Sequence, residues 1–166
     1  MAHCIHLSDV EMDRMAETQT MVSHCPYSNV NLSSGIAPIR KLFERKIPIG
    51  LGSDISGGHI VSMAKVLIEA IGLSKMKWVE VDQTYAPLTL SEAFYMATKG
   101  GGKFFGKVGS FEKGCELDAL VIDDTTLFDP NERSLEERLE RWLYVGDDRH
   151  IVERYVAGKI APEPTN

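Results

Sequence analysis

Two short apolar segments, Thr20-Met21-Val22-Ser23-His24 and Ile47-Pro48-Ile49-Gly50-Leu51-Gly52, constrain the fold most. Each is too short for a core helix, and a loop rich in Pro, Ser, Asn or Gly follows it. That combination reads as a buried strand. Between them, Ile36, Ile39, Leu42 and Phe43 recur at helical spacing, and Pro38 sits where a helix can start without losing a needed N–H. Strand, helix, strand is the right-handed crossover unit of a parallel sheet or barrel. The chain is therefore expected to be α/β.

The flanking segments extend the alternation. Ser8-Asp9-Val10-Glu11 has the capping-box pattern, in which hydroxyl and carboxylate each satisfy a free backbone N–H. A helix with Val10, Met12, Met15 and Ala16 on its apolar side should follow. Cys25 to Gly35 reads as a loop, with Ser28-Asn29 as a turn. Met63 to Trp78 reads as a helix. A second capping box, Thr89-Leu90-Ser91-Glu92, opens a helix over 90–106 that meets Gly100-Gly101-Gly102 as a break or a close packing point. The character changes near residue 108, where a domain boundary is expected. Beyond it come a turn at 109–114, a strand over Leu117–Ile122, a charged helix over Ser134–Leu143 and a last strand over Ile151–Ala157.

Both strands end on a polar side chain, His24 and Asp54, and Met1-Ala2-His3-Cys4 resembles the end of a third strand. Singly, each residue has an ordinary reading: a histidine at a frayed terminus, a histidine bonded to its own loop, an aspartate capping a turn. His6 and His59 read as loop residues. Together, His3, His24 and Asp54 close successive strands, and in a (β/α) barrel such ends converge on one mouth. Histidine with aspartate suits holding Zn²⁺ or Fe²⁺ and moving a proton from water.

Composition excludes several classes. A formal charge of −6 disfavours nucleic acid and acidic lipid as partners. Three cysteines with no C-x-x-C are neither a disulfide framework nor a zinc ribbon, which points to a reducing cytoplasm. No apolar run is long enough for a membrane span, and residues 1–6 show no signal peptide.

Ala2-His3-Cys4-Ile5-His6-Leu7-Ser8, Ser23-His24-Cys25-Pro26-Tyr27-Ser28-Asn29 and Gly50-Leu51-Gly52-Ser53-Asp54, in that order, resemble the amidohydrolase superfamily in its chlorohydrolase/deaminase branch. Ile55-Ser56-Gly57-Gly58-His59, the stretch Trp142 to Ile151, and Tyr155 to Lys159 look more specifically like the guanine deaminase family within it. The resemblance implies the carboxy-terminal part of a metal-dependent (β/α)₈, TIM-like barrel over 1–108, from the end of strand six to helix eight. Residues 109–166 would then supply β-sandwich strands and a helix. It implies Asp54 as metal ligand and proton shuttle, His3 as the group orienting the hydrolytic water, and His24 as a border of the substrate pocket. The cofactor would be Zn²⁺, with Fe²⁺ as an alternative, and the parent a homodimer. The implied reaction is hydrolysis of guanine at C2 by metal-activated water, with protonation at N3, giving xanthine and ammonia.

The resemblance also implies segments that this chain lacks: the strand-one H-x-H pair, the strand-five H-x-x-E pair and the guanine-contacting groups between them. Such a barrel needs about 250 residues. Asp54 would be the only direct ligand left, whereas a catalytic zinc takes about three from protein. The chain alone is therefore expected to be inactive, and molten or aggregated, because the apolar faces of its helices at 63–78 and 90–106 would stay in water. Two other readings remain at this point. One is another amidohydrolase, acting on adenosine or S-adenosylhomocysteine or as a chlorohydrolase. The other is a non-catalytic remnant or binding module.

Overall fold

A computed structural model describes residues 1–162. In chain order the elements are α1 (Asp9–Glu17), β1 (Val22–His24), α2 (Pro26–Asn31), α3 (Ile39–Glu44), β2 (Ile49–Leu51), α4 (Met63–Glu80), α5 (Leu90–Tyr95, continued by a π turn over Met96–Gly100), β3 (Ala119–Ile122), α6 (Leu135–Val145), β4 (Ile151–Val156) and β5 (Lys159–Ile160).

The crossover unit forms as its pattern predicts. β1 and β2 are parallel, with Val22 opposite Ile49, Ser23 opposite Gly50 and His24 opposite Leu51. The amino-terminal residues add to the same edge: Ala2 bridges Ser23 in parallel, Ser23 N–H donates to Met1 O at 2.8 Å and His3 N–H to Ser23 O at 2.9 Å. Three successive strand ends therefore lie side by side.

The helices close over one face of this layer. Both capping boxes are made, at Ser8–Glu11 and Thr89–Glu92. In α1, Met12 and Met15 are buried, but Val10 is exposed, so the expected stripe is narrower than its sequence suggests. α4 buries Val66, Leu67, Ala70 and Ile71, and the next helix buries Ala93 and Met96. One side of each helix is thus covered within this chain, while Met76, Trp78, Phe94, Phe104 and Phe105 stay exposed, so the expectation of wet apolar faces holds for part of their surface. The glycines after α5 are a packing point. A Cβ on Gly50 would lie 2.7 Å from Gly101 Cα, and one on Gly100 would lie 2.6 Å from Ile49 O. Only backbone fits there, and the helix loosens into its π turn as it crosses β2. Arg40 staples the two ends of this layer: it bonds Glu92 Oε2 at 2.8 Å and the carbonyls of Ala86 and Pro87.

Two expectations are corrected. The segment expected as a loop over 25–35 contains α2, which starts with Pro26 in its first turn. Its Ser28 and Asn29 are buried at 0% and 1% exposure rather than lying in a surface turn. The strand expected last, β4, is followed by β5. β3, β4 and β5 form an antiparallel sheet in that order. It joins the rest through α6, whose Trp142 and Leu143 enter the common core.

Candidate active site

His3, Cys25 and Asp54 bring a ring nitrogen, a thiol sulfur and a carboxylate oxygen within 4.8 Å of one another. The backbone explains how. His3 and Asp54 both have left-handed conformations, φ 64° and φ 46°. Such conformations cost L-residues energy and, outside glycine, favour Asp, Asn and His. Each turns its side chain off the strand direction just where the strand ends. The Asp54 turn is closed by Gly58 N–H donating to Asp54 O at 2.7 Å. Gly57 makes room, since a Cβ there would lie 2.6 Å from Asp54 Oδ2 and 2.7 Å from Ser28 Oγ.

Strand alternation supplies the third donor. Ser23 and Cys25 point to one face of β1 and His24 to the other. Cys25 Sγ lies 3.7 Å from Ser23 Oγ and 3.6 Å from Ser23 O. A Cβ on Gly52 would approach both Ser23 Oγ, at 2.6 Å, and Cys25 Sγ, at 3.0 Å. Burial pushes the Cys25 thiol up from its ordinary pKa. His3 Nε2 faces Asp54 Oδ2 at 3.8 Å, and both side chains are about two-fifths exposed. That gap is too long for a direct hydrogen bond and leaves room for one small species. The opposite ring nitrogen of His3 lies 2.9 Å from Asn29 Oδ1.

Of the residues expected from sequence, the structure brings His3 and Asp54 together. It does not bring His24 with them. His24 is 1% exposed and lines an adjoining cavity of about 320 Å³ with Met12, Ile39, Ala70 and Lys77, on the helix side of the strands. Desolvation lowers its pKa to about 4, and the nearby His3 adds to the effect. His6, as expected, is a loop residue, with Nε2 2.9 Å from Ser34 O. His59 packs edge-on against Tyr27. Cys25 and Asn29 were not legible as site residues. The available signal is the two-residue parity linking Cys25 to Ser23, which the Pro-, Ser- and Asn-rich chemistry after His24 masks.

Residues 1–161 match the Amidohydrolase family. The chain belongs to that family. Within it, the chain is 40% identical to the guanine deaminase of Dictyostelium discoideum, over 95% of this chain and 36% of that protein. A crystal structure of guanine deaminase from C. acetobutylicum, with guanine bound in its active site, superimposes with a TM-score of 0.92 at 53% identity, covering 96% of this chain and 38% of that one. E. coli guanine deaminase superimposes with a TM-score of 0.85 at 36% identity, over 99% of this chain and 39% of that one. The chain thus spans a little over a third of the length of these relatives. Among the described residues, no helix is long and apolar enough to cross a membrane.

Proposed function

We propose that this chain is the carboxy-terminal segment of a metal-dependent guanine deaminase, which converts guanine and water into xanthine and ammonia. The observation that carries the reading is the convergence of His3, Cys25 and Asp54 at adjacent strand ends, in a chain similar along its length to guanine deaminases. On this reading Met1–His3, β1 and β2 are the last strands of a (β/α)₈ barrel, with a boundary near residue 108, and β3–β5 belong to a small β-sandwich. The remaining barrel strands come from residues outside this chain.

A carboxylate oxygen with an imidazole beside it at open strand ends fits part of a zinc site, with iron(II) as the alternative. Asp54 would hold the ion, with His3 and Cys25 beside it and further ligands from outside these residues. Such an ion, when bound, lowers the pKa of water to about 7. The side chains then divide the work. Asp54 takes a proton from the attacking water and carries it toward the amine leaving C2. The C2–O bond forms as ring N3 gains a proton from an acid outside this chain; the C2–N bond then breaks, the amine takes the proton that Asp54 carries and departs as ammonia, and the remaining C2–OH proton returns to that acid. His3 Nε2 accepts from the same water and aims it. His24 borders the pocket from behind, packed against the helices, neutral at physiological pH.

A substrate panel on the full-length protein tests this. Guanine should yield xanthine and ammonia one for one, while adenosine and S-adenosylhomocysteine should be turned over at least about 100-fold more slowly, because buried groups built for one base are left unpaired by another. A preference for either nucleoside would replace guanine with that substrate class. The 166-residue chain alone should show no turnover.

A further inference from the structure

Asn29 meets the ring of His3 on the side away from Asp54. Its Oδ1 lies 2.9 Å from His3 Nδ1, and the residue is 1% exposed. An amide oxygen can only accept, so this contact requires the proton on Nδ1. A neutral imidazole carries a single N–H, which leaves Nε2 as a bare acceptor. Nε2 faces Asp54 Oδ2, another acceptor, at 3.8 Å. Two acceptors at that distance do not bond each other, but one water donating an O–H to each fits between them.

We propose that Asn29 is a positioning residue: its Oδ1 holds His3 in the Nδ1–H tautomer, so that His3 Nε2 and Asp54 Oδ2 grip one water as paired acceptors. The effect on turnover rests on the deaminase reading; the tautomer does not. The chain fixes the backbone of Asn29, and among the described residues its Nδ2 finds no partner, so the contact of Oδ1 with His3 is the bond its side chain makes. Its N–H donates to Cys25 O at 3.0 Å and its carbonyl accepts from Ser34 N–H at 2.8 Å. Pro26 sets the entry to α2. The opposite amide orientation, with Nδ2 toward the ring, would impose the Nε2–H tautomer, place a donor against Asp54 and shut the water out. This gives a physical reason for a polar residue with no exposure in a helix of six residues.

The test is ¹⁵N NMR of histidine-labelled full-length protein, freed of metal because an ion on Nε2 would itself force the tautomer, at about pH 8, above the ordinary histidine range. The His3 signal is assigned by its loss in His3→Gln. The wild type should show His3 as Nδ1–H. Asn29→Asp keeps an acceptor and should keep that pattern. Asn29→Leu should release the ring toward Nε2–H. With guanine, Asn29→Leu should lower kcat roughly 10- to 100-fold, the usual effect of removing such a partner, with KM changed by no more than about threefold. Asn29→Asp should restore most of the loss. Nε2–H in the wild type, or an unchanged tautomer in Asn29→Leu, overturns the proposal. Should Asn29→Leu not fold, the wild-type tautomer and Asn29→Asp still decide it. The expected tautomer without guanine turnover supports this proposal and removes the deaminase reading instead.

Discussion

The two sheets of this chain are built on opposite terms. The parallel strands β1 and β2 are buried by their own helices: Val22 and Ile49 are at 0% and 1% exposure. The antiparallel strands β3–β5 carry apolar side chains that nothing among the described residues covers, among them Leu120 at 53% and Val156 at 61%. These last two line an open groove of about 1520 Å³ with Tyr155, Phe104 and Phe111. The parallel layer thus buries its helix-facing side with contacts it brings itself, with Met21, Gly50 and Leu51 left on the groove, whereas the antiparallel sheet has its apolar side chains open to another surface. The β-sandwich reading supplies one.

Four predictions break or sharpen this contrast in the full-length protein. The largest concerns the site the parallel layer holds. Asp54→Asn should cut kcat for guanine on the order of 10²–10⁴-fold, the range for a lost general acid–base, with little change in melting temperature, because Asn tolerates the left-handed backbone at 54. A large fall in melting temperature would make Asp54 structural. Next, Leu42→Ala, at a site with 0% exposure, should cost about 2–5 kcal/mol in chemical denaturation. Leu120→Ser should cost about 1.5–3 kcal/mol, as for burial of a leucine, if a second sheet covers β3–β5; a change within about 0.5 kcal/mol would mean that the face stays in water.

The last effect is on pH. Neutral burial lowers the His24 pKa from 6.5 to about 4. The unfolded chain therefore binds the proton first, and stability contributed above pH 6.5 is lost as pH falls toward 4. The bonds from Arg40 lower Glu92 from 4.5 to about 2, so its contribution is lost between those values. Thermal melts should fall first below about pH 6.5 and again below about 4.5; Arg40→Met should remove the second fall. A flat profile from pH 7 to 4 would contradict the placement of His24.

Much of this was legible in the sequence. The parallel pair, the capping boxes and the convergence of His3 with Asp54 follow from local patterns: short apolar runs, S-x-x-E and T-x-x-E spacing, and polar residues at strand ends. What was hidden is what tertiary packing decides. Pro26-Tyr27-Ser28-Asn29 has turn chemistry, yet it is wound into α2 because Ser28 and Asn29 are needed inside, against Gly57 and His3. The approach of Cys25 to His3 and Asp54 depends on two residues far off in sequence, and the strand-end position of His24 does not say which face its side chain takes. β5 has only two residues, and of the two left-handed residues in the turn before it, Ala157 at φ 49° and Gly158 at φ 75°, only the glycine shows in sequence.

The central claim is that the strand ends of this chain hold the metal on which the proton transfer depends. Zinc content of the purified full-length protein, wild type beside Asp54→Asn after equal dialysis, tests it most directly. The account predicts about one zinc per chain in the wild type and a small fraction of that in Asp54→Asn. Equal occupancy in the two proteins would contradict it.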